Sequence, residues 1–476
     1  MTTKQTMTMK STTYASLEQL ALAIQLGELS SEALLQAQLA RIARHGDKLH
    51  AFTDVYADEA LATARGLDQM TRAGIRLGPL HGVTVAVKDL FEIENKSIAA
   101  GSKARPPRIS TTSAAVVERL RGAGAVVIGK THTVEFAFGG WGTNSAMGTP
   151  WNPWDLQTHR TPGGSSSGSA VALAAGLCSA SIGTDTGGSV RIPAGLCGVV
   201  GLKTTRGLIS RHGLIELCPT HDTVGPLTRT VRDSAILLDV LSGHDPRDPA
   251  SLPVRPRAVL PQLDVGRGVE GMRVWTLPEA ERLDVDAEVL AAYDEALQVL
   301  EDLGMERVER ELPQSCAESM RVAGSLMSAE GYANLGTLFE QDGLEFDPNV
   351  RRRILLGRDI SSAQYIHLLK LREQAKADML MAMDGVDVCA FPTNAIAAIP
   401  VSDVDELATP LSRFGRFVNL LDLCSLALPA GFTRAGMPVS MQFIARPLDE
   451  VRALRVGQAF ERATLWHEAV PPGLDE

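Results

Sequence analysis

Apolar residues recur at helical spacing through Leu17, Leu20, Leu22 and Ile24, and Ser16 with Gln19 makes a capping-box signature ahead of them. Gly27 interrupts this pattern. Ser30-Ser31 restarts it, and Leu34, Leu35, Leu39 and Ile42 carry it on, so residues 16–45 read as two helices. Val83 to Val87 and Ala125 to Ile128 are short apolar runs of the kind that form buried strands, and Ala114 to Arg121 between them has helical spacing. Such alternation predicts a mixed or parallel sheet. Ala287 to Leu303 and Ile360 to Met383 read as helices in a mainly helical stretch, 284–383, and Val388 to Phe391 and Val439 to Ile444 return to strand. The Pro-, Asp- and Arg-rich residues 243–270 read as a surface connection. The run Arg351-Arg352-Arg353 reads as a solvated helix face. There are no repeats and no sustained heptads.

Composition narrows the class. The 476 residues are 45% hydrophobic and 21% charged, an ordinary globular balance, with a prior of about three domains from length alone. The formal net charge of −10 argues against a nucleic-acid surface. The polar start, Met1 to Ser16, lacks a secretory apolar run, and no stretch reaches the roughly 18 apolar residues of a membrane helix. Six scattered cysteines without CxxC pairs read as buried free thiols of a reducing, cytoplasmic compartment. No HExxH or paired Cys/His spacing implies a metal.

Three segments carry candidate chemistry. Lys88 ends the apolar run Val83 to Val87; burial there lowers an amine's pKa and frees it to act as a base, whereas a surface lysine would pair with Asp89 instead. Gly163 to Ser169, GGSSSGS, feeds straight into the small-residue helix Ala170 to Gly176, so it is a loop at a helix N-terminus rather than a linker. Its embedded GxSxG is not preceded by a strand-like sequence, which argues against a nucleophile elbow. Thr184 to Arg191, TDTGGSVR, places two glycines before Ser189. Their N–H groups and that of Ser189 converge readily on one oxygen, while Asp185 and Arg191 pin the loop. Of the 43 glycines, 15 lie between Gly139 and Gly207.

Taken together, Lys88, Ser165 and Ser189 make the sequence similar to the amidase signature family of serine hydrolases. The strongest match runs from Pro162 to Lys203, and continues through Gly207 to Ser210 and Asp222 to Leu227. Gly78 to Asp89 looks like the family's lysine strand, and Leu428 to Gly431 with Pro438 to Gln442 like its closing strands. The resemblance implies an α/β fold, a three-layer α/β/α sandwich with a large mixed central sheet. It also implies one amidase domain over 1–476: N-terminal helices at 16–75, a catalytic core at 76–240, a helical substrate cover at 271–385 and closing strands with a helix at 386–465. It assigns Ser189 as nucleophile, Ser165 as the bridging serine held by a cis peptide, and Lys88 as terminal base. Thr186, Gly187, Gly188 and Ser189 become the oxyanion donors, and Ala137, Phe138, Gly139, Gly140 and Trp141 the substrate-binding stretch. No cofactor or metal is required.

The expected activity is hydrolysis of the C–N bond of a small linear amide. Phe136, Phe138, Trp141, Trp151 and Trp154 crowd the stretch before the serine loop, which points to an apolar or aryl amide or a carbamate. The expected partner is a small-molecule amide, with no nucleic acid and no membrane; dimerisation is common in the family, so a homodimer enters as an expectation. Ser167 stands where a glycine is usual, and Leu90 follows Asp89 where an asparagine is often seen. One alternative is the glutaminase subunit of a tRNA-dependent amidotransferase, which shares this core. That subunit usually has Gln after the arginine and Pro after the lysine of GLKPT; Ile192 and Thr204 here favour a free-standing hydrolase. A non-catalytic binding protein is the other alternative, and the presence of all three catalytic-type residues argues against it.

Overall fold

The structure, a computed structural model, describes residues 12–104, 108–254, 258–264 and 268–474. Residues 1–11 of the polar start therefore lie outside the described residues, as do 255–257 and 265–267 of the expected surface connection. The two N-terminal helices form as the pattern requires, α1 over Leu17–Leu26 and α2 over Ser31–Leu49, and the Ser16–Gln19 capping box is complete. Buried Asp233 adds a second cap: its carboxylate accepts from the N–H groups of Leu17 (3.0 Å) and Glu18 (3.1 Å).

Eleven strands build one sheet: β1 Phe52–Val55, β2 Thr84–Lys88, β3 Val126–Thr131, β4 Ala180–Asp185, β5 Val200–Lys203, β6 Thr223–Thr228, β7 Arg273–Thr276, β8 Glu306–Val308, β9 Val388–Pro392, β10 Cys424–Phe432 and β11 Pro438–Ala445. Their order across the sheet is β1-β3-β2-β4-β6-β5-β10-β11-β9-β7-β8. β2 runs parallel to both neighbours, successive strands from β4 across to β9 meet antiparallel through the centre, and β7 is parallel to β8 and β9. The sheet is mixed, as the resemblance implied.

Both faces are covered, and the period of two shows it. In β2, Val85 and Val87 join one apolar core while Ala86 joins another; in β3, Val127 takes the first side and Val126 and Ile128 the second. Helix α3, Ser167–Ala174, is buried all round among the second set, which is why it is built of Ser, Gly, Ala, Val and Leu alone. The glycine-rich region is thus the middle of the molecule: it supplies β4, β5, α3 and a further helix α4, Arg191–Cys197. Over one end lie α5, Cys316–Phe339, and α6, Pro348–Leu355.

Candidate active site

The lysine strand, the serine loop and the TDTGGS loop meet at the end of β2 and β4. Lys88 is fully buried at the last position of β2. Its Nζ lies 2.8 Å from Ser165 Oγ, 3.1 Å from Ser166 Oγ and 2.9 Å from Thr184 Oγ1. Desolvation lowers its pKa to about 7, against the opposing pull of Asp222 and Asp185. A neutral amine has two N–H donors and one lone pair. Three hydroxyl neighbours match that set: Ser166, whose own proton goes to the Thr184 carbonyl (3.2 Å), and Thr184 can accept, leaving the lone pair for Ser165. The alternative pairing with Asp89 does not occur. Asp89 faces Lys130 at 3.1 Å and accepts from Ala99 N–H.

Ser165 is fully buried and follows a cis peptide from Gly164. Its carbonyl accepts from Val134 N–H (3.2 Å) and the Thr133 hydroxyl (3.0 Å), and Gly164 N–H donates to the Gly140 carbonyl (2.8 Å). The serine loop is thereby tied to 139–141. Ser166 N–H donates to the Ser189 carbonyl at 3.2 Å, which joins the two serine-bearing loops directly.

Asp185 organises the second loop. Its carboxylate accepts from Gly188 N–H (2.8 Å), Val190 N–H (3.1 Å) and the Arg191 guanidinium (3.0 and 3.1 Å). Burial alone would raise this carboxyl, but Arg191 and these donors hold it well below the usual range. Arg191 also reaches Gln442 Oε1 (2.9 Å), the Gly415 carbonyl (3.0 Å) and Asn419 Oδ1 (2.7 Å). Thr186 Oγ1 donates to Asp222 at 2.5 Å, and burial lifts the Asp222 carboxyl to about 6.

Of the four expected oxyanion donors, Gly188 is differently used: its N–H is committed to Asp185. Among the described residues, the N–H groups of Thr186, Gly187 and Ser189 have no protein acceptor. Gly188 instead supplies shape. Its φ is +115°, and a Cβ there would lie 2.7 Å from Ile192 Cδ1.

The stretch 137–141 borders the same region, but its aromatic residues do other work. Trp141 packs with Ile192, Leu196 and Leu411 and donates its Nε1–H to the Asp405 and Ala408 carbonyls. Trp151 stacks on His159, Trp154 lies against Phe432, and Phe136 meets Phe339 edge-on. Only Phe138 of the five borders a cavity of about 440 Å³, roofed by α5 and α6. Phe136 and Ala137 sit at φ +47° and +62°, a conformation that costs non-glycine residues about 1–2 kcal/mol each. Phe136 N–H to the Ala100 carbonyl (2.8 Å) helps hold it. The arginine run is a solvated face only in part: Arg352 is exposed, but Arg351 lies over the Phe346 ring and Arg353 turns inward. Arg353 Nη2 pairs with Glu406 at 2.5 Å and its Nη1 reaches the Phe138 carbonyl, because α6 packs over the site with that face inward. Sequence reasoning assigned no role to Ser166, Thr184, Asp222, Asn419 and Gln442. Asp222 and Gln442 fell in quoted motifs, and Ser166 in the serine run; position alone gave Asn419 no signal.

A buried low-pKa lysine against serine hydroxyls, beside a loop of free N–H groups, is the apparatus of a serine hydrolase. The chain belongs to the Amidase family, which matches residues 33–454. It is a hydrolase of carbon–nitrogen bonds other than peptide bonds, and the Ser-Ser-Lys triad is general to that family. A glutamyl-tRNA(Gln) amidotransferase subunit of Chloroflexus aurantiacus is 39% identical over 94% of this chain and 96% of that one. Among solved structures, a chain from a vestigial protein complex bearing on the origins of an s-triazine catabolic enzyme superposes with TM-score 0.88 at 30% identity, covering 94% of this chain and 99% of the other. The peptide amidase of Stenotrophomonas maltophilia gives TM-score 0.83 at 30% identity, covering 97% and 99%.

These relatives correct one expectation. A small-molecule amide as partner, with nucleic acid excluded, does not stand: the Chloroflexus relative is by its name one subunit of an enzyme acting on a glutamyl-tRNA. The physical reason is that net charge describes one chain's average field. It describes neither a local patch nor the surface of an assembly.

Proposed function

We propose that the protein cleaves a carboxamide through a Ser189 acyl-enzyme and serves as the amidase chain of a tRNA-dependent amidotransferase, with glutamine as the amide. The observation that carries the chemistry is the buried Lys88 with its lone pair on Ser165. Lys88 takes the Ser165 proton as Ser165 takes that of Ser189, so the attacking oxygen is activated without a buried charge being created first. The N–H groups of Thr186, Gly187 and Ser189 stabilise the oxyanion. Reversal of the relay delivers the proton to the departing ammonia, and water then releases the acyl group. The relatives support the amidotransferase part of the reading.

Free-standing hydrolysis of a linear amide is the second reading. Ile192 favours it: the usual glutamine is absent, and the isoleucine side chain packs on Trp141 and Leu196 and crowds Gly188. Ammonia release from glutamine, assayed with the chain alone and with its host's other amidotransferase subunits plus glutamyl-tRNA, separates the two. The first reading expects release that rises on assembly. Turnover of anilides or carbamates by the chain alone, with none of glutamine, overturns it.

A further inference from the structure

Arg416 lies at the catalytic loop, and its guanidinium has no hydrogen-bond acceptor among the described residues. Its stem lies against the backbone of that loop: a Cβ at Gly187 would stand 3.1 Å from Arg416 Cγ and 3.9 Å from its Nε. The guanidinium extends toward α5, where a Cβ at Gly324 would stand 3.4 Å from Nη1. Arg191 beside it, by contrast, is satisfied on every side. Both arginines border Gly415, so the contrast does not arise from remoteness, and Arg416 is the less buried of the two.

The surroundings sharpen the contrast. Arg416 borders the cavity of about 440 Å³ together with Phe138, Arg321, Arg352, Arg353 and Glu406. The single carboxylate there is spent on Arg353 (2.5 Å), and Arg321 is held outside by Glu318 (2.6 Å). A cavity lined by four arginines and one glutamate carries a net positive field, and the partly buried Arg416 guanidinium borders it without an acceptor. Burial lowers that guanidinium to about 10, with Arg353 adding repulsion and no acid opposing it. A planar fork of donors left unpaired in a pocket fits a planar carboxylate.

We infer that Arg416 anchors a carboxylate on the substrate, so that the enzyme selects amides carrying an anionic group beyond the scissile carboxamide. The inference takes the location of the reacting carbon from the proposed role of Ser189 and otherwise stands on the cavity alone.

The test separates binding from turnover. Ser189→Ala protein is titrated calorimetrically with succinamate, which joins a carboxylate to a carboxamide by two carbons, and with the neutral diamide succinamide. Succinamate is expected to bind at least about tenfold more tightly, as a charge-assisted hydrogen bond implies. Adding Arg416→Met should erase the difference, and Arg416→Lys should keep part of it. Equal affinities, no succinamate binding at millimolar concentration, or a preference that survives Arg416→Met overturns the inference. In the active protein, Arg416→Met should raise KM for succinamate at least about tenfold more than for succinamide. An equal fall in kcat for both would make Arg416 a stabiliser of the oxyanion and overturn it too. Absence of covalent fluorophosphonate labelling at Ser189 would defeat the acyl-enzyme reading while leaving the calorimetric outcome to decide the anchor.

Discussion

Lys88 does at residue scale what no surface lysine can. Its environment is assembled from hydroxyls that accept and donate without charge, so the ammonium form gains little while it loses its water. The sign of the pH dependence follows. Below a pKa of about 7 the amine is protonated, Ser165 loses its acceptor, and kcat/KM should fall about tenfold per pH unit. Above it the profile should level. A profile that stays flat from about pH 6 to pH 8 contradicts this assignment. Ser189→Ala should lower kcat by about 10⁴ or more and abolish fluorophosphonate labelling, with little change in melting temperature, since it removes a single hydroxyl from a residue that is 6% exposed. Retained turnover in that variant would remove the nucleophile from the mechanism.

At the scale of elements, the loop after β4 is held by Asp185 below and by α4 beside it, and Gly188 is where the two constraints meet. Gly188→Ala introduces a Cβ into the Ile192 side chain at a φ that L residues rarely adopt, so the Gly187 and Ser189 N–H groups should shift off target. The expected cost is about 10²–10³ in kcat. Ile192→Ala on top of it removes the clash but not the φ strain, so a double-mutant cycle should return only part of the loss. Full recovery would mean that crowding alone shapes the loop. This loop also marks where the sequence is readable. Lys88, Ser165, Ser189, Asp185 and Arg191 were legible because each sits in a motif whose residue types state their chemistry. Strands β2 and β3 were legible as short apolar runs, and helices α1 and α2 from helical spacing. β4 and β6 were not, since ASIGTD and TVGPLT spend their positions on glycine, proline and close backbone contact rather than on alternating side chains. The roles of Trp141, Trp151 and Trp154 were equally hidden: an aromatic cluster in sequence says nothing of whether its rings face a cavity or one another. The inward face of Arg353 depends on how α6 packs, which is a tertiary fact.

Across the whole molecule the chain divides the sheet. Strands from residues 52 to 228 form one half and strands from 273 to 445 the other, and the only ladder between them among the described residues is β5 on β10, with Lys203 opposite Ser425 and Gly201 opposite Ala427. So short a seam needs support, and the buried polar groups over it provide that. Lys203 Nζ donates to the Leu423 carbonyl at 2.7 Å. Arg191 reaches from the first half to Asn419, Gly415 and, on β11, Gln442, which itself accepts from Ser425 at 2.9 Å. The catalytic loop and the seam are therefore one network: the arginine that pins Asp185 also binds the halves. Arg191→Lys keeps the charge but cannot reproduce the fork, and it strands buried acceptors on the second half. It should cost about 2–5 kcal/mol in urea unfolding and lower kcat in parallel. Tryptophan fluorescence samples both halves, through Trp141, Trp151 and Trp154 in one and Trp275 with Trp466, which lies against Phe432 of β10, in the other. If the network couples them, fluorescence and far-ultraviolet dichroism should move together in the variant as one displaced transition. A midpoint unchanged from the parent would show that the ladder alone holds the seam, and a fall in kcat without loss of stability would confine Arg191 to the loop.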